Sequence, residues 1–84
     1  MTKYVLMLEE DSDDRYLTSE TLKELGIEIP VQYLSESRDL FDFLFRADKP
    51  SVILIDFNTV PEDGLSILKK IKSDPAYNDI PVVI

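Results

Sequence analysis

The chain has 84 residues, 44% of them hydrophobic and 31% charged, the balance of a globular domain. Lys and Arg total 9 against 17 Asp and Glu, a formal net charge of -8, which argues against nucleic acid and against an anionic membrane surface as partners. The Cys and His counts are both 0, which excludes disulfides, thiolate or imidazole metal sites, a Ser-His-Asp triad and phosphohistidine chemistry on this chain.

No apolar run approaches the roughly 18 residues of a membrane span. The start, Met1-Thr2-Lys3 followed by Tyr4 to Leu8, lacks the apolar length and cleavage pattern of a secretory signal. The expectation is a single soluble cytoplasmic domain, without internal repeats or Gly/Ser linkers.

Tyr4 to Leu8 (YVLML) is a short apolar run that ends in acids, the pattern of a buried parallel strand. Asp13 to Leu25 reads as a helix, with Leu22 and Leu25 on one face beside Thr18 and Thr21. Asp11 or Ser12 caps its start and Gly26 stops it. Ile27 to Pro30 reads as a loop and Val31 to Leu34 as a second strand. Ser35 and Ser37 are cap candidates for a second helix over about Arg38 to Arg46, whose Phe41, Phe43 and Phe45 read as helix packing with one side partly exposed.

Val52 to Ile55 (VILI) is β-branched, uncharged and short, and runs straight into Asp56. Pro61, Glu62 and Asp63 open a third helix that continues to Ser73, with Leu65, Leu68 and Ile71 as its apolar positions. Lys69, Lys70 and Lys72 sit near its C-terminal end, where the macrodipole favours them. Asp74-Pro75 breaks it, and Pro81 introduces Val82-Val83-Ile84 as a fourth strand.

The order β-α-β-α-β-α-β predicts an α/β parallel sheet with right-handed crossovers. A doubly wound domain of five such units takes about 120 residues. The expectation is therefore an incomplete domain whose fourth strand is an edge, with bare apolar surface that promotes self-association.

In an open parallel sheet, sites form at the carboxyl ends of the strands. The first strand ends in Glu9-Glu10-Asp11 and the third in Asp56. If these strands are neighbours, Glu9, Glu10 and Asp56 converge, and a hard divalent cation offsets their repulsion. Oxygen ligands without His or Cys suit magnesium. Asp11, Asp13 and Asp14 read as ordinary acids of a helix start, and Asp56 alone could simply cap a loop.

With these residues in view, the sequence resembles the receiver domain of two-component response regulators. YVLMLEEDSDDR (4–15) resembles the family's first strand and acidic turn. VILIDFNTVPEDG (52–64) resembles its phosphoacceptor strand and following loop, and IKSDPAYNDIPVVI (71–84) its third helix end and fourth strand. The resemblance covers residues 1–84 but only the N-terminal two thirds of such a domain. It implies a flavodoxin-like, doubly wound parallel sheet, here incomplete, with strand order 2-1-3-4.

It also implies that Asp56 is the phosphoacceptor, taking a phosphoryl group from a sensor histidine kinase or phosphotransfer protein, and that the domain is a signalling module rather than an enzyme. Glu10 then matches the acid that ligates Mg2+ directly and Glu9 the neighbouring acid. Asn58 matches the residue whose backbone carbonyl completes the metal site, together with Asp56. The chain departs from the family in having Glu10 where Asp is usual, and Thr59-Val60 where Met-Pro is usual, with Pro61 one place later. The residue-level alternatives are a pseudo-receiver that is not phosphorylated and a haloacid-dehalogenase-like phosphatase. The latter needs Asp two residues after its nucleophile, where Asn58 stands. A flavodoxin-like FMN binder fits less well, because the loop after the first strand is acidic.

Overall fold

The computed structural model describes residues 3–84. The reading at Met1 and Thr2 therefore lies outside the described residues. Strands β1 (Val5–Leu8), β2 (Val31–Leu34), β3 (Val52–Ile55) and β4 (Val82–Val83) form one sheet in the order β2-β1-β3-β4. All pairings are parallel, with Leu8 opposite both Leu34 and Ile55. This is the flavodoxin-like topology that the sequence implied, over its first four strands.

Alternation along the strands sends Leu6, Leu8, Ile53 and Ile55 to one face. There they form the core with Leu40 and Leu44 of α2 (Leu40–Arg46) and Ile67 and Ile71 of α3 (Gly64–Ser73). Ile80 closes it, and Phe41, Phe43 and Tyr77 pack on its margin. Phe45 faces solvent, 83% exposed, so only part of the aromatic run is packing. Of the apolar positions expected for α3, Ile71 is buried and Leu68 half-buried, whereas Leu65 is exposed and Ile67 is buried in addition.

The opposite face carries α1 (Ser12–Glu24), which buries none of its own residues. Leu25 lies beyond the helix end, exposed, and not on a packed face with Leu22. Parallel strands are normally covered on both sides. Here Met7 and Leu54 are only half-buried on the α1 side.

Local signals explain the helix ends. The Asp11 side chain accepts the Asp13 N–H at 2.8 Å and starts α1. Gly26 takes a φ of 72°, the left-handed conformation that ends helices cheaply. Asp63 caps α3 by accepting the Ser66 N–H at 2.8 Å, so Pro61 and Glu62 belong to the preceding loop and not to the helix. The second helix begins as a 3-10 turn over Ser37–Asp39, whose cap position is Glu36 and carries no side-chain cap bond; Ser37 does not cap it, and its hydroxyl accepts the Glu62 N–H instead. No helix among the described residues is long and apolar enough to cross a membrane.

Candidate functional site

The chain leaves β1 toward β2 on one side and returns for β3 on the other, so the order reverses between β1 and β3. Helices on opposite faces diverge at that point and open a crevice at the carboxyl ends of the strands. The Asp56 N–H donates to the Leu8 carbonyl at 3.0 Å, which continues the ladder one residue beyond the strands. Glu9 donates its own N–H to the Leu34 carbonyl at 2.9 Å. Glu9 and Asp56 therefore leave adjacent strands at the same level and on the same side.

A cleft of about 360 Å3 opens there. Its charged lining is Glu9, Asp14 and Asp56, and its apolar floor includes Met7, Leu54 and Val83. Glu9 is 4% exposed, and Asp56 is half-buried. Burial, and then contact with the Asp14 and Asp56 carboxyls, pushes the Glu9 carboxyl up to about 7. An acid that holds its proton near neutrality marks a place where negative charge is crowded.

Two of the expected acids, Glu9 and Asp56, thus meet. Glu10 does not join them: it is exposed and does not line the cleft. The third carboxyl at the cleft is Asp14, on the first turn of α1. Helix periodicity carries the signal, since Asp14 and Leu17, three residues apart, share the face of α1 toward the strand ends. That face is fixed by Arg15, whose guanidinium donates to the Glu9 carbonyl at 2.6 Å and lies 5.3 Å from the centre of the Tyr33 ring.

The loop after β3 folds back on Asp56. The Asn58 N–H donates to Asp56 Oδ1 at 3.3 Å, and the Thr59 N–H to the Asp56 carbonyl at 3.2 Å. Asn58 thereby stands beside the acid through its amide nitrogen. Gly64 closes the loop by donating its N–H to the Phe57 carbonyl at 3.0 Å.

The donor set at the cleft is hard oxygen, which suits a divalent cation of the magnesium class. Among the described residues no three acids stand as a ready ion cage. The cleft is many times the ~30 Å3 of a water molecule, so a partly hydrated ion fits. Glu9, Asp14 and Asp56 suit such an ion in charge and donor type, though they line the cleft without closing on one point.

No family model matches the chain. Response regulator Rcp1 of Synechocystis sp. is 31% identical over 88 residues, a match that takes in 98% of this chain and 60% of Rcp1. A chemotaxis protein CheY homologue of Campylobacter jejuni is 25% identical over 80 residues, covering 95% of this chain and 61% of the homologue. The chain thus spans 60% and 61% of these curated relatives. Among solved structures, the phosphorylated cyanobacterial phytochrome response regulator RcpA superposes with a TM-score of 0.84 at 28% identity, over 98% of this chain and 63% of RcpA. The Mn(2+)-bound form of response regulator Rcp1 gives 0.85 at 30% identity, over 95% of this chain and 62% of that one. With the parallel order β2-β1-β3-β4 and an acid at the end of β3, this chain is similar in sequence and in fold to response regulator receiver domains over the residues it contains.

Proposed function

We propose that the protein is a phosphoacceptor module of two-component signalling, with Asp56 as the acceptor. The observation that carries this reading is the parallel pairing of β1 with β3, which sets the Asp56 carboxyl against Glu9 at an open strand end. Asp56 is half-buried, reachable from the cleft, and its Oδ1 is oriented by the Asn58 N–H.

In the step proposed, an Asp56 carboxylate oxygen forms a bond to phosphorus as the P–N bond of a phosphohistidine breaks. The imidazole of the donor leaves with the bonding pair and takes a proton, and an aspartyl phosphate remains. A sensor histidine kinase or phosphotransfer protein supplies the donor, since this chain has a His count of 0. A magnesium-class cation, when bound, offsets charge on the transferring phosphoryl group. Glu9, Asp14 and Asp56 would hold it, with the Asn58 carbonyl as a further oxygen and Glu10 reaching it through solvent. The protein stores the group rather than turning over a substrate, in the cytoplasm and without nucleic acid or membrane contact through this domain.

The half-covered α1 face and the β4 edge, with Val83 and Ile84 exposed, support self-association of the chain as it stands. The exposure of Glu10 favours a second reading, an unphosphorylated pseudo-receiver. One experiment separates the two. The protein is incubated with acetyl phosphate and Mg2+ and the site of phosphorylation is mapped, with Asp56→Ala as control. Label that is released by base or hydroxylamine and disappears in the variant supports the phosphoacceptor. Absence of label, or undiminished label in folded Asp56→Ala, overturns it.

A further inference from the structure

Ser37 lies outside the acidic cleft, yet it grips the loop that follows Asp56. Its N–H donates to the Val60 carbonyl at 2.9 Å, and its hydroxyl accepts the Glu62 N–H at 2.9 Å. These bonds hold the loop on both sides of Pro61. Ser37 is 2% exposed, so water does not readily replace a lost partner there.

A second buried hydroxyl completes the grip. Thr59 donates its hydroxyl to the Glu62 carbonyl at 2.8 Å, so both backbone groups of Glu62 are taken by hydroxyls. The near half of the loop is the part that touches the acceptor, through the Asn58 N–H on Asp56 Oδ1. The segment from Asp56 to Glu62 is thus fixed at both ends.

A buried serine that merely satisfies a loop amide would also make these bonds. Two features favour a further role. The Ser37 hydroxyl reaches 25 residues along the chain to the Glu62 N–H, so it is engaged by the loop and not by the turn that Ser37 begins. The bonded residues also flank Val60-Pro61, where the sequence departs from the usual receiver loop, so this grip specifies the path of that unusual segment.

We propose that Ser37 is a positioning residue for the reaction at Asp56, anchoring the loop so that Asn58 keeps the carboxylate aimed into the cleft. The proposal rests on Asp56 being the phosphoacceptor. Ser37→Ala removes the acceptor for Glu62, and Ser37→Cys keeps the size with a weaker acceptor. Each protein is labelled with acetyl phosphate and Mg2+ below its unfolding transition, and amide exchange is followed by NMR.

The labelling rate is expected to fall about tenfold in Ser37→Ala, with Ser37→Cys between it and the wild type. The Asn58 and Glu62 amides lose protection while β1 and β3 keep theirs. Should Ser37→Ala fail to fold, Ser37→Cys carries the same comparison. An unchanged rate overturns the proposal, as does loss of protection spread equally over β1 and β3, the mark of a purely structural role. Wild-type protein that takes no label at Asp56 overturns the acceptor reading first, and this proposal with it.

Discussion

The backbone of Gly64 passes so close to Asp56 that a Cβ at position 64 would sit 3.0 Å from the Asp56 carbonyl oxygen. It would also lie 3.1 Å from the Phe57 Cα and 3.2 Å from Ile55 Cγ2. The three neighbours belong to Ile55, which ends β3, and to the two residues after it. The first turn of α3 therefore presses directly on the Asp56 backbone, and glycine is required for its missing side chain and not for a left-handed φ.

Gly64→Ala is expected to destabilise the fold by about 1–3 kcal/mol, the usual cost of forcing a methyl into a packed interior. Two of the three contacts are backbone atoms, so the strain falls on Asp56 itself. Labelling at Asp56 should slow more than in a variant of equal stability loss in the core, such as Ile71→Val. Chemical denaturation and labelling measured together check this, and equal slowing in both variants would count against it.

Asp63 starts α3 and thereby sets where Gly64 lies. Its side chain accepts the Ser66 N–H, and that bond holds its carboxyl below the usual range. A depressed carboxyl stabilises the fold above its unfolded pKa, and the contribution is lost as pH falls through the lower folded value. Asp63→Ala should lower Tm by a few degrees at neutral pH. Once the pH has fallen through that lowered value the two proteins should converge, which a pH series of thermal melts would show.

The architecture was legible in the sequence because short apolar runs that end in acids, separated by helical stretches, leave few arrangements open. Val31–Leu34 and Val52–Ile55 appear where the pattern put them. The start of α3 was misread because Pro61 and the acids after it resemble a first turn. The hydroxyls of Ser37 and Thr59 claim Glu62 for the loop and move the cap to Asp63. At the site, Glu9 and Asp56 were visible as strand ends. Asp14 looked like any helix-start acid, and Glu10 looked equivalent to Glu9. Only the strand pleat separates those two, turning Glu9 inward and leaving Glu10 in solvent. The role of Ser37 had no local signal, since its partner lies 25 residues away.

That distinction is measurable through the titration of Glu9. Its carboxyl is pushed up to about 7 by burial and by Asp14 and Asp56, with no contribution from Glu10. Asp14→Asn replaces an opposing carboxyl with an amide that donates a hydrogen bond, so the Glu9 pKa should fall. Glu10→Gln should leave it close to its wild-type value. Carbon-13 titration of the Glu9 carboxyl in the two variants tests the assignment, and a larger fall in Glu10→Gln would refute it.

A raised carboxyl also dictates how stability follows pH. The folded state binds the Glu9 proton more tightly than the unfolded state, whose value is near the ordinary 4.5 of a glutamate. The stabilisation from Glu9 is therefore complete below that value and is lost as pH rises toward about 7. Glu9→Gln mimics the protonated form and should make the protein more stable at pH 8 but not at pH 4. A Tm difference of the same size at both pH values would contradict this.

Cation binding at the cleft inherits the opposite slope. A cation competes with the proton for the carboxyl oxygens, so affinity for Mn2+ should rise with pH and level off above about 7, where Glu9 is already ionised. Below that point binding should release protons, detectable as buffer-dependent heats in calorimetry. In Glu9→Gln the affinity should be weaker and nearly flat between pH 6 and 8, because the group that titrates there has gone. An affinity with the same pH slope in wild type and Glu9→Gln would mean that the ion sits away from Glu9, and the cleft formed by β1 and β3 would lose its claim to hold it.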